Sequence, residues 1–187
     1  MKGRIIFMTE EESMGKALRE LLPRLFPAFL EHEHWLILDH KGKSDLEASY
    51  PKKMRAWREP GVRFVILRDN DGSNCIQLKK YLLSKVPPKP PKHLVRIVCQ
   101  ELESWFIADL AAVAAAYPAA ARQKAFRDLS KTDPDGLTNA SELIRALTGT
   151  GAKRVRALEI AKQMQRDRNR SKSFKVFVQG VAKFFST

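Results

Sequence analysis

Val62-Arg63-Phe64-Val65-Ile66-Leu67-Arg68-Asp69-Asn70-Asp71-Gly72 is the stretch that decides the fold. It is an apolar run of strand length, set off by Pro60-Gly61 and ending directly in acid. Near the start of the chain Ile5-Ile6-Phe7-Met8-Thr9 does the same, running into Glu10-Glu11-Glu12. In an open parallel sheet the ligand crevice lies beyond the carboxyl ends of the strands, so carboxylates placed there converge on one small volume. The two runs together predict an α/β protein with a divalent-metal site at the strand ends.

Working outward, the first hundred residues alternate strand-like and helix-like patterns, which predicts βαβ units and a mainly parallel sheet. Between the two acid-tipped strands, a helix from Ser13 to about Phe26 carries Ala17, Leu18, Leu21, Leu22 and Leu25 at helical spacing and is closed by Pro27. Trp35-Leu36-Ile37-Leu38 is a further strand. Lys41-Gly42-Lys43-Ser44 then turns into a helix, capped by Ser44 or Asp45, that carries Leu46, Tyr50, Met54 and Trp57. After Gly72 a helix spans about Asn74 to Val86, and the prolines at 87, 88, 90 and 91 end it. Leu94-Val95-Arg96-Ile97-Val98-Cys99 is the fourth strand and also runs into acid, at Glu101 and Glu103. From Leu102 onward strand signals stop. Helical segments are expected over 104–117, 119–129, 139–147, 152–165 and 171–185, the last with Phe174, Phe177, Val178, Val181 and Phe185 on one face toward the sheet. The expected organisation is an α/β domain over 1–110 with a helical C-terminal extension, 111–187, packed on it.

Charge points to the partner. The net charge is +13. Ten Lys or Arg against only Glu159 and Asp167 place eight of those thirteen charges after Gly149. Such a surface favours a polyanion, nucleic acid first; its bland reading is a solvated helical face. Arg154, Arg156, Arg166, Arg168, Arg170 and Lys172 are the candidate phosphate contacts. No stretch approaches the roughly 18 apolar residues of a membrane span, and no signal-peptide pattern opens the chain, so a soluble, cytoplasmic protein with no membrane partner is expected. Cys75 and Cys99 read as two buried thiols in a reducing compartment. His32 and His34 form an H-x-H without a third nitrogen or sulfur ligand nearby, which reads as a loop accident. Signatures of nucleoside-triphosphate, dinucleotide or serine-hydrolase chemistry are missing.

Mg²⁺ prefers oxygen ligands, usually one or two carboxylates completed by water and phosphate oxygens. Asp69 and Asp71 suit it: an i, i+2 pair keeps both side chains on one side of the chain, and Gly72 allows a sharp exit. Glu10 after the first strand and Glu101 and Glu103 after the fourth repeat the pattern.

The succession of a glutamate after strand one, a helix, and D-x-D-G after strand three resembles the Toprim fold of topoisomerases, primases and OLD-type nucleases. The segments Glu10-Glu11-Glu12-Ser13-Met14, His40-Lys41-Gly42-Lys43-Ser44-Asp45-Leu46, Arg55-Ala56-Trp57-Arg58-Glu59-Pro60-Gly61-Val62-Arg63-Phe64, Leu67-Arg68-Asp69-Asn70-Asp71, Glu101-Leu102-Glu103-Ser104-Trp105-Phe106-Ile107-Ala108-Asp109 and Asn169-Arg170-Ser171-Lys172-Ser173-Phe174 are similar to those of the DUF4276 group of small bacterial Toprim-like proteins. The resemblance implies a Toprim-like sheet in which Glu10 is the Toprim glutamate and Asp69 and Asp71 hold Mg²⁺ or Mn²⁺. It also implies that Glu103, with Glu101 beside it, completes the cluster. Catalytic duty would fall on Glu10, Asp69, Asp71 and Glu103. The run Glu10-Glu11-Glu12 leaves open whether Glu10 or Glu11 faces the metal. Gly15 stands where many relatives place a second acid. Lys43 is either a phosphate contact or an ordinary loop lysine.

The function expected is metal-dependent cleavage of nucleic acid, DNA before RNA, with an ABC- or AAA-type ATPase partner in phage defence or DNA repair implied by the resemblance. Homo-oligomers are compatible with it. The rival expectations are a non-catalytic module that docks nucleic acid or an ATPase, and nucleotidyl transfer on the same metal site.

Overall fold

Strands and helices alternate along the first half of the computed structural model, which describes residues 3–186. They run β1 (Ile5–Thr9), α1 (Glu12–Leu25), β2 (Trp35–Asp39), α2 (Lys43–Ala56), β3 (Arg63–Asp69), α3 (Cys75–Ser84) and β4 (Lys92–Val98). All neighbouring strands pair in parallel, in the order β2-β1-β3-β4. The α/β class and the four-stranded parallel sheet flanked by helices are as the sequence predicts.

The pleat sends alternate residues to opposite faces, and each face has its own core. Ile6, Met8, Phe64, Ile66 and Val95 pack with Leu46, Tyr50 and Met54 of α2 and Leu82 of α3. Ile5, Phe7, Trp35, Ile37, Val65, Leu67 and Val98 face the other way, onto Met14, Leu18, Leu21 and Leu22 of α1. Apolar side chains of the C-terminal helices belong to this second core. The sheet is thus the middle layer of three.

The C-terminal helices are α4 (Leu102–Ile107), α5 (Leu110–Ala116), α6 (Lys124–Leu129), α7 (Ala140–Thr148), α8 (Lys153–Gln163) and α9 (Lys172–Ser186). Two expected helices are broken. The segment 104–117 divides at Asp109, whose carboxylate accepts the Ala112 and Gln165 amides and pairs with Arg168 at 3.1 Å. A side chain that caps a new helix competes with continuing the old one. The segment 119–129 begins as a 3-10 turn at Pro118–Arg122, before α6. In α9, Phe174, Phe177, Val178, Val181 and Phe185 are all buried. Trp105 of α4 lies 5.2 Å from the rings of Phe174 and Phe177 and donates from Nε1 to Ser173 Oγ at 2.8 Å.

Gly15 marks a close approach. A Cβ there would stand 1.7 Å from Asp39 Oδ1, the oxygen that accepts the Thr9 hydroxyl at 2.7 Å. Glycine lets α1 lie directly on the end of β2. The H-x-H is a turn element: His32 has φ 70° and His34 Nδ1 accepts the Leu30 amide at 3.0 Å. Cys75 and Cys99 are partly exposed, unlike the buried pair expected, because both sit at element ends rather than within the sheet layer. Among the described residues no helix is long and apolar enough to cross a membrane.

Candidate functional site

In the order β2-β1-β3-β4 the chain leaves β1 toward one edge and returns across it to build toward the other. The loops following β1 and β3 therefore diverge at their common boundary, the place where open α/β sheets bind ligands. Glu10 and Glu11 follow β1, Asp69 is the last residue of β3, and Glu103 sits in the first turn of α4 just beyond β4. After β3 the backbone is left-handed at Asp71 (φ 46°) and Gly72 (φ 77°), which turns the chain sharply. That turn is fixed to the end of β4, where the Asn70 amide donates to Val98 O at 3.1 Å and the Asp71 amide to Gln100 O at 3.2 Å.

Two ion-paired groups result. In the first, Arg68 Nη1 lies 3.0 Å from Glu10 Oε2 and 3.1 Å from Asp71 Oδ2, and Lys43 Nζ is 3.4 Å from the same Asp71 oxygen. In the second, Lys153 Nζ, from the first turn of α8, lies 2.5 Å from Glu11 Oε1 and 3.6 Å from Glu103 Oε1. Asp69 interacts with both, as the field of Glu10, Glu103, Glu11 and Lys153 acts on it. Glu10 and Glu11 divide between the two groups. Glu11 is extended (φ −146°, ψ 163°), and successive side chains of an extended segment point to opposite sides. Glu10 turns to Arg68 and Asp71, and Glu11 to Lys153 and Glu103.

Burial dominates the electrostatics. Asp69 is 5% exposed and Glu103 2%. Asp69 Oδ2 accepts the Leu102 amide at 3.4 Å, but Asp69 Oδ1 and Glu103 Oε2 have no hydrogen-bond partner. Burial, reinforced by Glu10, Glu103 and Glu11, raises Asp69 well above the usual carboxylate range. Burial also raises Glu103 against the pull of Lys153, and Glu10 against that of Arg68. It works to lower Lys153, yet the carboxylates of Glu103 and Glu11 outweigh it and hold the ammonium more firmly charged than an ordinary lysine. Each orphaned oxygen costs about 1–3 kcal/mol. Crowded, destabilised acids of this kind concentrate at functional sites.

Asp69 and Asp71 do not share one surface as the i, i+2 spacing predicts. The left-handed turn leaves Asp71 with 37% of its side chain exposed while Asp69 is buried. Glu101 is engaged elsewhere: its Oε2 accepts the Ser141 amide at 2.8 Å and caps α7. Among the described residues no three His, Cys, Asp or Glu side chains form a ready-made coordination set; Arg68 and Lys153 stand among the acids instead.

The expected phosphate contacts divide as well. Arg156 is buried and donates to the carbonyls of Gly149 and Gly151. Arg168 pairs with buried Asp109. Arg170 donates to Leu129 O at 3.2 Å and Thr132 O at 3.1 Å. These guanidiniums satisfy loop carbonyls and a buried acid, which a count of charges along the chain does not reveal. Arg154 lies at the rim, 3.7 Å from Glu12 Oε2, and Arg166 and Lys172 are exposed. Arg156→Ala should therefore cost about 1–3 kcal/mol in urea unfolding, because two carbonyls lose their donor, whereas Arg166→Ala should stay within about 0.5 kcal/mol.

Two residues of the site carried no assignment from sequence. Arg68 did carry a signal, since a charge inside an apolar strand must find a partner when buried. Lys153 carried only its place after Gly149-Thr150-Gly151.

The profile of a family described as Domain of unknown function (DUF4276) matches residues 9–182, a span that contains every acid and base of the cluster. No curated protein and no solved structure matches the chain.

Proposed function

The chain belongs to the DUF4276 family, and we propose that it is a Mg²⁺- or Mn²⁺-dependent hydrolase of nucleic-acid phosphodiester bonds. One observation carries the reading: beyond the ends of β3 and β4, two buried carboxylate oxygens, Asp69 Oδ1 and Glu103 Oε2, have no donor. Oxygens of that kind are what a hard divalent cation takes as ligands.

Asp69 and Glu103 would hold the cation, with Glu10 and Glu11 beside them and Asp71 at the exposed edge. Bound there, a divalent ion supplies an activated water and a positive contact for a phosphate oxygen. The chain's own residues do the rest. Glu10, which burial raises against the pull of Arg68, would serve as a proton acceptor beside Asp69 and Glu103. Lys43, with 58% of its side chain exposed, and Arg154, with 62%, stand at the rim, where a phosphate backbone would pass. Lys153 pairs with Glu11 and Glu103 and is about one-third exposed, so it would also counter a phosphate charge at the site. The net charge of +13 supports a polyanionic substrate. DNA, an ABC- or AAA-type ATPase partner, and a role in phage defence or repair follow from the Toprim-like resemblance.

A second reading is favoured by a specific observation: Arg68 and Lys153 already balance the cluster. Kept that way, the protein is a binding module with its acids as internal counter-ions. Titrating EDTA-stripped protein with Mn²⁺ while following Tm, and assaying plasmid and single-stranded cleavage, separates the two. The hydrolase predicts a Tm that rises with Mn²⁺, rises further in Lys153→Met, and cleavage that Asp71→Asn removes. No Mn²⁺-dependent shift in either protein, or cleavage that survives Asp71→Asn, sinks it.

A further inference from the structure

Cys75 Sγ and Cys99 Sγ lie 3.4 Å apart, the only two sulfurs of cysteine in the chain. Cys75 is the first residue of α3, and Cys99 follows the last residue of β4. Both are partly exposed, and both line an open cleft of about 580 Å³ walled by Ile76, Leu83, Val95 and Ile97. Lys79, Lys80, Arg96 and Lys172 also line this cleft against a single acid, Asp135, so a small anionic reagent meets net positive charge on approach. Closing the pair to a bond of about 2.05 Å requires a movement of little more than 1 Å, within side-chain rotation at two element ends.

We propose that Cys75 and Cys99 form a reversible dithiol–disulfide pair, opened and closed by exchange with a small disulfide of the glutathione type. The Cys75 thiolate attacks one sulfur of the oxidant and expels its partner as a thiolate, giving a mixed disulfide. Cys99 then loses its proton and attacks the Cys75 sulfur, expelling the second thiolate. In sum two protein thiols lose two electrons and two protons, and the oxidant disulfide becomes two thiols. Burial, and then the hydrogen bond with Cys75, push the Cys99 thiol up to about 12, which disfavours it for the first attack.

The bond would have a local mechanical effect. It ties the residue after the Asp69–Asn74 turn to the residue after β4, two positions before Glu101, adding a covalent link to the backbone hydrogen bonds that already hold the turn against β4. Control of hydrolysis by this clamp rests on the proposed hydrolase; the thiol chemistry does not.

Full-length protein is equilibrated with mixtures of oxidised and reduced glutathione, quenched by alkylation and weighed intact. The expected result is loss of both alkylatable thiols, a mass lower by two hydrogens, and no glutathione adduct, reversed by excess reduced glutathione. Cys99→Ser should instead retain one glutathione on Cys75. Two independent adducts, a disulfide between chains, or two free thiols at every ratio would overturn the pair. Hydrogen exchange at residues 70–74 and 100–104 should slow on oxidation, and unchanged exchange would overturn the clamp. Absence of nuclease activity leaves the thiol count unaffected, so the two failures are told apart.

Discussion

Asp69→Asn is expected to be more stable than the parent protein in EDTA, by about 1–3 kcal/mol at neutral pH, and to lose metal-dependent cleavage. The two effects have one cause. Asp69 is buried with one carboxylate oxygen unpartnered and with Glu10, Glu103 and Glu11 acting on it. An amide of the same shape removes the charge and offers a donor to the neighbouring carboxylates. For a chain of this length such a gain corresponds to a Tm rise of roughly 2–12 °C. Its pH dependence is fixed in sign. Because the folded protein holds the Asp69 proton more tightly than the unfolded chain, the parent has its full stability below the ordinary value of 3.8 and loses it as pH rises through the raised folded value. The advantage of Asn therefore grows as the pH rises above 3.8 and closes as it falls back toward that value. Thermal unfolding of both proteins in EDTA from acid to neutral pH measures it. An Asn variant less stable than the parent at pH 7 would show that the fold uses the Asp69 charge, and the acids would then be structural counter-ions.

Much of this site is legible in the sequence because parallel topology does the placing. Once four apolar runs alternate with helices, their ends must lie along one edge, and acids written there must gather. That logic reaches Glu10, Asp69 and Glu103 without any knowledge of side-chain geometry. It fails where a local conformation intervenes. The left-handed backbone at Asp71 separates it from Asp69, and the extended backbone at Glu11 sends it and Glu10 to different partners. It fails too where a distant helix supplies the partner: Lys153 is 142 residues from Glu11. The tail was harder for a related reason. Asp109 resembles any polar residue in a helical run, and only its contacts with Gln165 and Arg168, more than fifty residues away, make it a breaker.

Trp105→Ala is expected to cost about 3–5 kcal/mol and to lower the stability of sheet and tail together. Trp105 is 1% exposed and belongs to α4, the helix that carries Glu103. Its ring packs on Phe174 and Phe177 of α9, its indole N–H reaches Ser173, and its carbonyl accepts the Asn169 side chain at 2.8 Å. Truncation opens a cavity between α4 and α9 and removes a buried hydrogen bond. Because α1, one sheet face and the tail helices share a single core, the loss should appear as one cooperative transition at lower urea, with far-UV circular dichroism and tryptophan fluorescence coincident. Trp105→Phe keeps most of the packing and loses the N–H, so it should cost about 1–2 kcal/mol. Two separated transitions in the alanine variant would mean that the α/β domain stands without its tail. Lys153 would then be a removable counter-ion, and the variant's acids should bind Mn²⁺ more tightly than the parent's. A single transition means instead that the helix bearing Lys153 is held over the acids by the same core that builds the strands beneath them.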